Sequence, residues 1–65
     1  MLLRNKEKCI EHHKELEAGL KATQEVIARN IEGGEYDLAG INCDKLKAQL
    51  EQINQFTNHM ADMGF

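Results

Sequence analysis

Asn30-Ile31-Glu32-Gly33-Gly34-Glu35-Tyr36-Asp37-Leu38-Ala39-Gly40-Ile41-Asn42 lies at the middle of the 65-residue chain, and its reading decides the fold. Gly33 and Gly34 stand where a helical pattern on the N-terminal side stops. Glycine is favoured just past a helix C-terminus, and two in succession free the backbone to reverse direction. The pair lacks the flanking residues of a phosphate loop, because Glu32 and Glu35 would repel phosphate on either side. It reads as a hinge.

Outward from the hinge the apolar residues recur at spacings of three and four. In the first half these are Leu3, Ile10, Leu16, Leu20, Ile27 and Ile31, with His13 and Thr23 at the missing steps. In the second half Leu46, Leu50, Ile53, Thr57 and Met60 follow a heptad rhythm that Ala39 and Cys43 extend backward. The pattern predicts one helix over about 5–32, a loop over 33–42 and a second helix over about 43–63. Asn42 would be the second N-cap, with Ile41 and Leu46 as a hydrophobic staple and Asp44 near the positive end of the dipole. Leu16-x-Ala18-x-Leu20 and Leu46-x-Ala48-x-Leu50 echo one another, as two helices with the same heptad role do.

Two such helices fold back as an antiparallel hairpin, an all-α fold forming a single domain over 1–65. The expected first helix is longer, so Leu2, Leu3 and Ile10 would project beyond the second. Two helices cannot cover two broad apolar stripes, since Val26 and Ala22 flank the first and Phe56 and Met63 widen the second. A second copy would cover them, making a homodimer with a four-helix bundle, its seam built by Leu16, Leu20, Ile27, Leu46, Leu50, Ile53 and Met60.

Composition excludes several classes. The chain has no Pro, no Trp and only two Cys, so neither a disulfide scaffold nor a CxxC zinc framework is present. No apolar run reaches the length of a membrane span, and Met1-Leu2-Leu3 is followed at once by Arg4, Asn5, Lys6 and Glu7; a soluble, cytoplasmic protein is expected. The net charge is −3, and the surplus sits in Glu35, Asp37 and Asp44, between two segments that each sum to zero. A nucleic-acid binder carries the opposite balance, and Arg4, Lys6, Lys8 and Lys14 form only a minor basic patch. With no serine in the chain and no Cys/His/Asn arrangement, an enzyme is not expected, and no cofactor is called for.

One constellation offers metal chemistry. Cys9, His12 and His13 lie within one turn and a half of helix, and pairing Glu32 with Cys43 across the loop sets His12 opposite about Met63, with His59 a turn away. Cys9, His12, His13 and His59 could then converge at the open end of the hairpin as ligands for Zn²⁺ or Cu(I). The spacing matches no established zinc signature, and His13 also falls on the helix seam, where a histidine would make assembly sensitive to pH. Cys9 and Cys43 are too far apart for a disulfide within one hairpin and read as small packing residues.

The hinge carries more than a turn requires. Glu35, Tyr36, Asp37 and Leu38 form a loop tip in which Tyr36, Leu38 and Ile41 either cap the core or present an acidic-aromatic surface to the basic groove of a larger protein. Met60, Met63 and Phe65 at the far end either close the core or offer an adaptable apolar surface. In size and pattern HHKELEAGLKATQEVIARNIEGGEYDLAGINCDKLKAQLEQINQFTNHM (12–60) resembles the very small helical proteins of the early, accessory regions of lambda-like phages. That resemblance implies a non-catalytic factor, often dimeric, that binds and modulates a host protein in the host cytoplasm. It assigns no individual residue a role.

Overall fold

The computed structural model describes residues 5–64, which form two helices, α1 (Lys6–Glu32) and α2 (Tyr36–Asp62), packed against each other as a hairpin. The all-α expectation holds. Leu2, Leu3, Arg4 and Phe65 lie outside the described residues, so the calculated overhang at Leu2 and Leu3 does too.

Asn5 starts α1: its side-chain oxygen accepts from the backbone N–H groups of Glu7 at 2.9 Å and Lys8 at 3.2 Å. Two donors that the first turn leaves unpaired are thereby satisfied. The helix ends in a Schellman motif. Gly34 takes a left-handed φ of 73°, Glu35 N–H donates to Asn30 O at 2.8 Å, and Gly34 N–H donates to Ile31 O at 3.1 Å. Gly34 is the position where a Cβ would be strained.

The connection is much shorter than the sequence pattern predicts. The second helix begins at Tyr36 and not near residue 43, so only Gly33, Gly34 and Glu35 separate the helices. Tyr36, Asp37 and Leu38 therefore belong to the first turn of α2, and only Glu35 of the expected tip lies in the connection. The physical reason is that the Schellman motif already reverses the chain in three residues. No proline blocks helix formation over 36–42, and Gly40 inside the helix costs only about 1 kcal/mol relative to alanine. Asn42 is consequently no N-cap. Glu35 holds that place with no side-chain hydrogen bond, and Ala39 N–H donates to Glu35 O at 3.0 Å.

Two corrections follow from the earlier start. Both helices span 27 residues, so α1 does not outrun α2. The pairing of opposite residues also moves by seven positions, or two turns: Gly19 faces Gln49, and His12 meets Phe56 where Met63 was expected.

The seam keeps a strict heptad spacing on both helices. Cys9, His13, Leu16, Leu20, Thr23, Ile27 and Asn30 from α1 are buried or half-buried, as are Ala39, Asn42, Leu46, Gln49, Ile53, Phe56 and Met60 from α2. This spacing is the one on which the 3-4 packing of antiparallel bundles is built. The contact is narrow. Among the described residues the only buried hydrophobics are Cys9 and Ala39, whereas eight larger ones, from Ile10 to Met63, remain exposed.

Candidate functional site

The seam divides the hairpin surface into two faces of different chemistry. On one side three adjoining depressions form a groove along the helices. Ile10, His13 and Glu17 line it with Thr57 and Met60 near the open end, and Leu20, Gln24, Leu46 and Leu50 line it toward the closed end. Leu50, Ile53 and Thr57 join these stretches. Leu50, at 50% exposure, stands at the middle of the groove. Its rim is charged, with Lys14 and Lys21 on α1 and Lys47 and Glu51 on α2.

His13 belongs to this face. Its Nδ1 donates to Glu17 Oε1 at 2.8 Å, one turn along the same helix, and its Nε2 lies 3.5 Å from Thr57 Oγ1 on the opposite helix. Thr57 meanwhile donates its hydroxyl to Ile53 O at 2.8 Å, the back-bonded geometry open to threonine inside a helix. The imidazole thus spans the seam and holds the Glu17 carboxylate on the rim.

The other face is lined by polar pairs and rings. Ala22, Thr23, Val26, Asn42 and Lys45 surround a small hollow there. Buried Asn30 accepts through Oδ1 from Asn42 Nδ2 at 2.9 Å, a hydrogen bond that joins the two helices. Thr23 donates to Gly19 O at 3.1 Å, and Gln49 Nε2 donates to the same oxygen at 3.4 Å. Gln49 Oε1 is buried with no hydrogen-bond partner among the described residues. Toward the open end the His12 ring stands edge-on to Phe56, with centroids 4.7 Å apart, and the His59 ring lies 5.9 Å from Phe56.

No known protein family, curated protein or solved structure matches the chain. The reading of the surface rests on the geometry itself.

That geometry separates the residues expected to meet around a metal. Cys9 is fully buried in the seam, His12 and His59 pack with Phe56, and His13 turns to the opposite face toward Glu17 and Thr57. Among the described residues no group of three or more His, Cys, Asp or Glu side chains is placed to hold a metal ion. The cause is the shift of register, which brings Phe56 to the level of His12, where its ring packs with both His12 and His59. Cys43, expected to extend the heptad into the core, is exposed, and it is not disulfide-linked to Cys9.

Of the expected seam, Leu16, Leu20, Ile27, Leu46, Ile53 and Met60 are half-buried, while Leu50 points into the open groove. At the closed end Tyr36 is 71% exposed and Ile41 63%, beside exposed Ile31, Glu32, Glu35 and Asp37. They do not cap the core. Lys6, Lys8 and Lys14 are exposed, and no helix among the described residues is long and apolar enough to cross a membrane.

Sequence reading missed the Asn30–Asn42 pair and the seam place of Gln49. A signal existed. Once α2 is extended to Tyr36, positions 39, 42, 46, 49, 53, 56 and 60 form an unbroken 3-4 repeat, in which the polar residues Asn42 and Gln49 occupy core positions.

Proposed function

We propose that the chain is a non-enzymatic protein-interaction module that modulates a larger protein by docking its closed end. The observation that carries this reading is the exposure of Tyr36, Ile31 and Ile41, large apolar side chains at the closed end of the hairpin, where Glu32, Glu35 and Asp37 are exposed too. A monomeric domain gains nothing by exposing such a group, whereas aromatic and aliphatic anchors ringed by charge are the usual composition of a binding hot spot. The acids select a basic partner surface and speed encounter with it. The resemblance to small phage accessory proteins points to the same class of activity, with a host protein as the partner.

A photoreactive phenylalanine analogue placed at Tyr36, and separately at Glu25 on the outer side of α1, tests the docking surface in the cells that naturally contain the chain. The expected result is one larger protein crosslinked from position 36 and absent from position 25. Excess unlabelled chain should compete for it, and the Tyr36→Ala variant should not. Equal labelling from both positions, or competition by Tyr36→Ala as strong as by the native chain, would contradict the proposal.

A further inference from the structure

We infer that the groove face seats a second copy of the same chain, turned so that the closed end of each hairpin lies over the open end of the other, in a four-helix bundle with a two-fold axis at the level of Gly19 and Gln49. Area leads to the second copy and charge to its orientation, and neither rests on the docking of the closed end.

The chain measures 44 × 17 × 16 Å and has a radius of gyration of 14.5 Å, against roughly 11 Å for a compact chain of this length. Its accessible surface is 5014 Å², whereas a compact monomer of 7.4 kDa exposes about 4200 Å². The excess is roughly 800 Å², close to what each partner of an ordinary stable interface buries. The groove is the mainly apolar depression on this surface, running beside residues 10–24 of α1 and 46–61 of α2 with Leu50 half exposed in it.

Charge decides the orientation. Gly19 and Gln49 face each other, so two residues further along Glu17 is level with Glu51, and Lys21 is level with Lys47. All four line the groove. If two hairpins stacked with their closed ends together, each α1 would lie over the partner's α2 at equal height. Glu17 would then meet the partner's Glu51 and Lys21 the partner's Lys47, like charge on like.

Turning one copy end over end removes the conflict. Each helix now lies antiparallel on its own counterpart, and the axis at residues 19 and 49 carries position 17 onto 21 and position 47 onto 51. Glu17 meets the partner's Lys21, and Lys47 meets the partner's Glu51, each pair occurring twice. Residues 19 and 49 are also the midpoints of Lys6–Glu32 and Tyr36–Asp62, so the same axis superposes the whole length of the two hairpins. The His13 contact, by holding Glu17 Oε1 on the rim, keeps that carboxylate where the partner lysine arrives. The two closed ends then lie at opposite ends of the bundle.

Sedimentation equilibrium of the purified chain, with circular dichroism to confirm helix content, tests the inference. The native chain should sediment as a dimer at micromolar concentration. Leu50→Asp should raise the dissociation constant by about 100-fold, since it places a carboxylate at the centre of a dry interface. Val26→Asp, on the other face, should leave it unchanged. Lys47→Glu distinguishes the orientations without touching the apolar surface. It should weaken the dimer by about fivefold in the end-over-end arrangement, where it sets acid against the partner's Glu51, and strengthen it if closed ends pack together. A chain that stays monomeric at high concentration, a dimer broken by Val26→Asp and not by Leu50→Asp, or a dimer tightened by Lys47→Glu would each overturn the inference. None of these outcomes depends on whether the closed end binds another protein.

Discussion

The two faces of this hairpin are built from the same two helices, yet they handle polar groups in opposite ways. On the back, polar side chains are spent inside the molecule: Asn42 donates to Asn30, Thr23 and Gln49 donate to Gly19 O, and the His12 ring packs on Phe56. On the groove side the interior is mainly aliphatic and the charges stand on the rim, where His13 holds Glu17. A face whose polar groups bond to each other is closed to a partner. A face of aliphatic side chains with charges at its edge is open to one. The contrast teaches that the partner-facing side is set less by how apolar a face is, since Val26 and Leu38 are exposed outside the groove, than by where its polar groups find partners.

Substitutions should separate the two faces, and the largest effect is expected in the groove. Leu50→Asp should abolish dimer at micromolar concentrations while leaving the hairpin helical, as read by sedimentation and circular dichroism. Next comes the back seam. Asn42→Ala removes the donor to buried Asn30 and strands its oxygen, which should lower stability by about 1–3 kcal/mol. In a small domain that is a fall in Tm of at least several degrees, measurable by thermal melting at fixed protein concentration. Gln49→Leu should move stability the other way by about 1 kcal/mol, because it replaces a buried acceptor that has no partner and gives up only a 3.4 Å hydrogen bond. Gly34→Ala should cost about 1 kcal/mol through its left-handed φ of 73°, with no change in dimer affinity. Val26→Asp should be the mildest, within about 0.5 kcal/mol in stability, since the side chain is already 40% exposed on the closed face.

The hairpin itself was legible in the sequence because it rests on two strong local signals, the three-four spacing of aliphatic residues and the paired glycines. Gly33-Gly34 end α1 where expected. The start of α2 was not legible in the same way. Asn42 beside Ile41 has the composition of a cap, and a cap rule considers only a few neighbours. Asn42 instead meets Asn30 across the seam, a contact between helices that no local window contains. The error at that one residue then propagated. A loop seven residues too long displaced the register by two turns, and the displaced register brought His12, His13 and His59 together on paper. In the folded chain His12 and His59 both pack with Phe56, and His13 faces the other way. The exposed apolar surface was foreseen from the width of the stripes, while the matched rim charges could be read only after Gly19 and Gln49 were known to be level.

The arrangement of two copies about Gly19 and Gln49 is tested most directly by a distance between their closed ends. A nitroxide label at Asp37→Cys in a Cys43→Ser background reports it, because Cys9 is fully buried and should not take the label. Position 37 lies twelve residues from the axis along α2, so end-over-end packing separates the two labels by about 36 Å along the bundle. Pulsed dipolar spectroscopy on the dimer should give a single distance near that value. A distance below about 20 Å, as expected for helices 8–10 Å apart with closed ends together, would contradict the account. So would the absence of any dipolar coupling at concentrations where the unlabelled chain is dimeric.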